Sequence, residues 1–208
     1  MEVFVSEMTK THRQRQKEKT KELILNMAYK LFAEKGYGDT TMRLLAKESG
    51  VGLGTIFKHF PDKPSLLVEA YQSDLGGIVT KAFKTIPESG IKKQLLHVTR
   101  YLYRFYAANP AFSRTLIKES LFLSGTHGKI LDEQLNTFLK TISELISSAV
   151  MRGELTPETD VFAVTQIYGS LYFSMLTMAL KKPEFVVEEE IERIGNMLGK
   201  FLPCVYAK

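Results

Sequence analysis

Residues 40–67, TTMRLLAKESGVGLGTIFKHFPDKPSLL, constrain this chain more than any other stretch. The helical period divides them into two short helices joined by a tight turn, with a third leading away. The first is expected over 42–49, opened by Thr41 as its N-cap. Leu45 and Ala46 form its inner side. Gly50 ends it, because a left-handed residue commonly closes a helix and glycine adopts that conformation without strain. Val51 plugs the corner. The second helix is expected over 53–60, with Ile56 and Phe60 four apart and facing inward. Leu53, Thr55, Lys58 and His59 remain on its outer side, and Pro61 and Asp62 stop it and cap the next helix. Two short helices, a glycine turn and an outward face of hydroxyl, amine and imidazole groups describe a helix-turn-helix. That motif lays its second helix in the DNA major groove, with N-terminal residues at the base edges. The same unit also occurs as plain packing, and its geometry alone leaves both readings open.

Ala28, Leu31, Phe32, Gly36, Tyr37, Thr40, Thr41, Ala46, Gly50, Val51, Gly54, Thr55, Phe60, Lys63 and Leu67 form a dense pattern around this unit. On these residues, 23–67 resemble the DNA-binding region of the TetR/AcrR family of bacterial one-component transcription regulators. The resemblance covers the first third of the chain, since the remainder of that family varies greatly. It implies double-stranded DNA as a partner. Thr41 can offer its hydroxyl and neighbouring amides to a phosphate, and Arg43 can reach a phosphate or a guanine edge. Thr55 and Lys58 are the candidates for reading bases, with Leu53 against a thymine methyl. His59 and Lys63 resemble the family's backbone clamps. Three positions depart from the family's usual pattern: Gly52 at the helix start, Phe57 in place of a tyrosine hydroxyl, and Pro64, which a first helical turn tolerates.

Charge agrees with this placement. Through residue 65 there are 12 Lys/Arg against 8 Asp/Glu, whereas the other 143 residues carry 16 against 15. The basic excess sits with the helix-turn-helix, as a phosphate-facing module requires. A hydrophobic content of 44% in 208 residues is ample for a core. One cysteine, Cys204, excludes an internal disulfide and fits a reducing compartment. No charged-then-apolar leader is present, and the longest nearly apolar run, 171–180, is too short to span a bilayer. The expected location is the cytoplasm, with no membrane partner.

In chain order, residues 1–20 carry Lys10, Arg13, Arg15, Lys17 and Lys19 on a sparsely apolar arm. Its cations either touch DNA or form a solvated tail. Helix one runs to about Lys35 on a stripe of Leu23, Ile24, Met27, Ala28, Leu31 and Phe32. A long helix is expected over 63–86. Gly76-Gly77 in its middle is either a bend point or a place of close packing. Helices follow over 91–108 (apolar nearly all round, hence central), 111–123, 129–152, 160–180 and 187–202, with a loop at 124–128. The expectation is an all-α chain of about nine helices. Residues 1–62 would form the arm and a three-helix DNA-binding domain, and 63–208 a helical ligand-binding and dimerisation domain.

The resemblance implies that the last two helices pair with their copies in a second subunit. The interface residues would be Gly169, Phe173, Ile191, Ile194, Gly195, Leu198 and Phe201, with small residues spaced by four permitting close approach. A two-fold dimer would place two recognition helices about 34 Å apart on a near-palindromic operator. A monomer with these helices internal is the alternative. Family precedent also puts a small effector among the helices of the second domain, shifting the protein between two conformations. An apolar or aromatic effector, with an anionic group as an option, would meet Tyr101, Arg104, Phe105, Phe122, Phe138, Tyr168, Tyr172 and Met175. Taken singly, each would also serve as core. Arg104 would pair either with an anionic ligand or with an acidic neighbour such as Glu119. The chain shows no metal-ligand spacing, phosphate loop or nucleophile elbow, so neither catalysis nor a cofactor is expected. The reading is a ligand-responsive dimeric regulator, most simply a repressor. The competing reading is an architectural or protein-controlled DNA binder with a filled core.

Overall fold

The computed structural model describes residues 11–202, with the side chain of Ser73 excepted. Lys10 and Cys204 therefore lie outside the described residues. Among these residues are nine α-helices and no strand. They are α1 (His12–Asp39), α2 (Met42–Ser49), α3 (Leu53–His59), α4 (Lys63–Lys84), α5 (Ile91–Ala108), α6 (Pro110–Ser120), α7 (Gly125–Met151), α8 (Val161–Leu180) and α9 (Val187–Phe201). The chain divides into two compact units, Met1–Gln72 and Ser73–Lys208, with the division inside α4.

In the first unit, α1 opens with a capping box in which Thr11 and Gln14 satisfy each other's amides. It buries Ile24, Ala28, Leu31 and Phe32, while Leu23, read as part of the same stripe, is about half exposed. Gly36 (φ 81°, ψ 165°) breaks the helical path, and the buried Thr40 hydroxyl donates to its carbonyl at 2.8 Å. The chain turns there into α2. Leu45, Ile56 and Phe60 are fully buried where α1, α2 and α3 pack, as their spacing requires. Asp62 accepts from the Ser65 amide at 2.8 Å and opens α4.

In the second unit, α5 is central, touching α6, α7, α8 and α9 and burying Leu95, Val98, Leu102, Tyr103 and Tyr106. Its N-terminus has no side-chain cap of its own. Instead the Glu154 carboxylate, 63 residues away, accepts from the Ile91 amide at 2.7 Å. Arg114 likewise donates to the last α8 carbonyl, Leu180, at 2.9 Å.

Three expectations need correction. Residues 125–128, expected as a loop because of their glycines, form the first turn of α7, while α6 ends at Ser120. Gly125 supplies a positive φ of 71°, and a Cβ on Gly128 would lie 2.2 Å from the Leu123 carbonyl oxygen. These glycines permit a tight re-entry into helix rather than a loop. Second, Gly76 and Gly77 lie inside an uninterrupted helix, and a Cβ added to either would meet nothing within 4 Å, so close packing does not explain them. Third, α8 is long and apolar enough by composition to cross a membrane, with a mean hydropathy of 1.2. Its inner side nevertheless packs as core against α5, α6, α7 and α9, and buries Thr165 and Tyr168.

Candidate nucleic-acid interface and effector region

The helix-turn-helix holds its outer face by local means. Thr41 caps α2, its hydroxyl accepting from the Leu44 amide at 3.1 Å. Gly50 closes α2 in the left-handed region at φ 67°, and Gly52 starts α3 without a side-chain cap. Buried Ile56 and Phe60 fix the rotation of α3, which leaves Thr55 and Lys58 exposed and Leu53 half-buried at its beginning. Arg43 is exposed on α2. Among the described residues, Arg43 and Lys58 have no hydrogen-bond or ion-pair partner. Phe57, which lacks the hydroxyl of the family's usual tyrosine, is an exposed ring. The arrangement can offer cationic and hydroxyl groups to a polyanion, and no carboxylate among the described residues pairs with Arg43 or Lys58.

His59 and Lys63 sit differently. Lys63 reaches back to α1, donating to the Tyr37 carbonyl at 2.7 Å and lying 4.1 Å above its ring. Its ammonium locks the turn after Gly36, so its first role is structural. His59 is half-buried at the end of α3. Burial lowers its pKa, Lys17 and Lys21 of α1 lower it further, and Glu69 of α4 opposes them. Glu69 is ion-paired to Lys21. Nothing in the residue pattern singled out Lys21, although it stands one helical turn beyond Lys17 on the same face.

The candidate effector residues separate into three groups. Tyr168 is buried, its hydroxyl shared with Thr99 at 2.8 Å and donated to the Leu95 carbonyl. Tyr103 donates to the Tyr172 carbonyl at 2.7 Å. Burial pushes the Tyr106 phenol up to about 12 and the Tyr103, Tyr168 and Tyr172 phenols up as well. A second group is aromatic packing. Ring centroids run from Phe83 to Phe138 (5.9 Å), to Tyr172 (6.2 Å), to Tyr103 (5.4 Å) and to Phe185 (5.6 Å). Met175 is buried, and Tyr101 and Phe105 are half-buried. The third group faces solvent. Phe122 is 91% exposed in the turn after α6. Arg104 is exposed and donates to Glu188 of α9 at 3.1 Å, alongside Arg100. Neither lines an interior, and Glu119 is not the partner of Arg104. The i, i+3/i+4 pattern did not separate the outer side of α5 from its inner one, because α9 covers only part of it.

The assigned interface residues also move. Ile191, Ile194 and Leu198 are buried within the chain where α9 packs on α5. A Cβ on Gly195 would lie 3.3 Å from Leu96, and one on Gly169 3.1 Å from Leu139. These small residues admit α5 and α7 of the same chain. Of the named positions only Phe173 is exposed, and Phe201 is half-buried. The outward apolar side chains of the last two helices are Phe162, Ile167, Phe173, Met178 and Met197.

Residues 24–70 match the sequence pattern of the family described as bacterial regulatory proteins, tetR family. An HTH-type transcriptional regulator of Staphylococcus aureus is 42% identical over 65 residues, 31% of this chain and 35% of that protein. The chain thus matches about a third of that relative's length. A fatty acid metabolism regulator protein of Bacillus subtilis is 21% identical over 166 residues, 78% of this chain and 84% of that one. The crystal structure of the transcriptional regulator FadR from Bacillus subtilis, in complex with stearoyl-CoA, superposes with a TM-score of 0.63 at 19% identity, covering 87% of this chain and 96% of that one. Over residues 24–70 the chain thus matches the pattern of the tetR family of bacterial regulators, and its described residues share the all-helical fold of the FadR structure.

Proposed function

We propose that this protein is a cytoplasmic transcriptional regulator that binds a near-palindromic operator as a homodimer and is released by a small effector. Repression is the simplest mode of action for such a switch. The observation that carries the reading is the outer face of α2 and α3, where Arg43 and Lys58 stand exposed beside Thr41 and Thr55 with no partner among the described residues. Thr55 and Lys58 read bases, Leu53 meets a thymine methyl, and Thr41, Arg43 and His59 hold phosphates. Lys63 supports the same face by fixing the turn that carries it.

The dimer would use the outward side of α8 and α9, through Phe162, Phe173, Met178 and Met197. Large exposed apolar side chains on two adjacent helices are costly in water and mark an association surface. The effector would enter the aromatic layer of Phe138, Tyr172 and Tyr103, with Tyr101, Phe105, Tyr168 and Met175 around it. The stearoyl-CoA held by the FadR relative supports an effector that joins an apolar chain to an anionic head. Effector and operator would then compete by favouring different conformations. Selection of bound fragments from random duplex DNA at near-physiological salt tests the reading. A two-fold symmetric sequence is expected. Salt-sensitive binding without a preferred sequence would favour an architectural DNA binder instead.

A further inference from the structure

Two guanidinium groups of the second unit share one carboxylate at the surface. Arg100 and Arg104 stand one helical turn apart on α5. Glu188, in the first turn of α9, accepts from the Arg100 Nε at 3.0 and 3.2 Å and from a terminal nitrogen of Arg104 at 3.1 Å. No other acceptor among the described residues takes a hydrogen bond from either side chain, so most of their N–H groups are unspent. A second pair lies close by in the chain. Lys182 of the α8–α9 connection holds Glu190, whose side chain is 1% exposed against 57% for Glu188. The buried pair ties the connection to α9. The exposed pair can open without unmooring it, because an ion pair in water contributes little. Between the two arginines on α5 lies Tyr103, whose ring centroid is 5.6 Å from that of Phe185, three residues before Glu188. Phe185 is the last ring of the series that runs through Phe138, Tyr172 and Tyr103. The same two stretches, 100–104 and 185–188, thus form both the surface cluster and the buried end of the aromatic layer.

We propose that Arg100 and Arg104 take the anionic head of an amphipathic effector, a carboxylate or a phosphate on an apolar chain, and that Glu188 holds their place until it arrives. This names the head group of the effector reading given above and rests on it. Guanidinium groups meet carboxylate and phosphate oxygens with paired N–H donors, and Glu188 marks the point where these two already converge on an anion. The cluster holds two positive charges against one negative, so an added anion is not repelled. A head that displaces Glu188 places its chain beside Phe185 and Tyr103. The head itself stays at the surface, where water takes up the released carboxylate. Exchange swaps one set of charge-assisted bonds for another, and burial of the chain supplies the gain.

The test measures equilibrium binding of dodecanoate, dodecanoyl-CoA and dodecanol, which share one chain length, by isothermal titration calorimetry at fixed salt and below micelle-forming concentrations. The proteins are the wild type, Glu188→Gln and the double variant Arg100→Gln/Arg104→Gln, each first checked by thermal unfolding. The wild type should prefer an anionic probe to dodecanol by about tenfold or more, the range of hydrogen bonds to a charged group. The double variant should lose most of that preference. Glu188→Gln should bind the anionic probe more tightly, by up to about fivefold, because the internal competitor is gone. A mere brace predicts no such gain. A preference held by dodecanoyl-CoA identifies phosphate as the head and one held by dodecanoate a carboxylate, and either supports the site. A preference that survives in the double variant, or no gain in Glu188→Gln, would overturn the head site. Wild-type binding of dodecanol as tight as that of the anions would overturn it too, while leaving the aromatic effector reading intact. Absence of binding by all of the probes would overturn both.

Discussion

Cations on the outer face of the helix-turn-helix and cations of the second unit's ion pairs meet different fates. On the outer face of α2 and α3, Arg43 and Lys58 are left without an internal partner among the described residues. In the second unit, Arg100 and Arg104 converge on Glu188, Lys182 holds the buried Glu190, and Arg114 closes the end of α8. A charge with a partner in its own fold is a brace. Exposed charges with none are available to a partner from outside, and in the proposed reading that partner is a polyanion. Residue type alone does not tell these apart: Arg104 and Lys58 are both exposed cations on helices, and only one already has a carboxylate.

The largest expected effect tests the same distinction between inner and outer faces on α9 and α8. Ile194→Ala removes a fully buried side chain and should cost about 2–5 kcal/mol in denaturant unfolding. Phe173→Arg, on the outward side, should leave intrachain stability nearly unchanged but shift sedimentation toward the monomer. If the two changes act alike on stability, the division of faces is wrong.

A smaller effect sharpens the contrast on the DNA side. Lys58→Ala should lose about 1–3 kcal/mol of discrimination between operator sequences in competition binding. Arg43→Ala should weaken all duplexes together and reduce the salt slope by about one. Lys63→Ala should instead lower the unfolding temperature of the free protein, because it releases the Tyr37 carbonyl. Equal losses of discrimination from all three would merge roles proposed here as separate.

The smallest effects concern the braces. Glu154 is opposed by burial, but the Arg152 guanidinium and the Ile91 amide more than compensate and hold its pKa below 4.5. Its folded pKa is depressed, so its stabilising contribution is present above the unfolded pKa. That contribution is lost as pH falls through the folded value. Glu154→Gln should therefore flatten the acid limb of the stability curve below about pH 4.5 in thermal melts. Arg104→Ala, whose ion pair is exposed, should change stability by less than about 1 kcal/mol. A larger loss there would mean that Arg104 is more than a surface brace.

The sequence was most informative where structure is local. Thr41, Gly50, Ile56 and Phe60 act within one or two turns of themselves, through a cap, a left-handed residue and a four-residue spacing. Their consequences can therefore be read without knowing what lies elsewhere in the chain. It was least informative about glycine. Gly125 and Gly128 suggested a loop, and Gly195 and Gly169 a second subunit. Gly125 instead provides a left-handed turn, and the other three admit contacts that depend on which backbone or side chain comes near: Leu123, Leu96 and Leu139.

What the chain by itself determined is the all-helical character, the helix-turn-helix with its outward hydroxyl and cationic face, and the concentration of positive charge around it. These follow from periodicity, capping and charge count, which are properties of neighbours in sequence. Tertiary structure alone decided that Glu154 caps α5 from 63 residues away, that Arg104 belongs to Glu188, and that Lys21 of α1 pairs with Glu69 of α4. Each of those depends on how helices cross, and a crossing is set by the summed fit of many side chains rather than by any one of them.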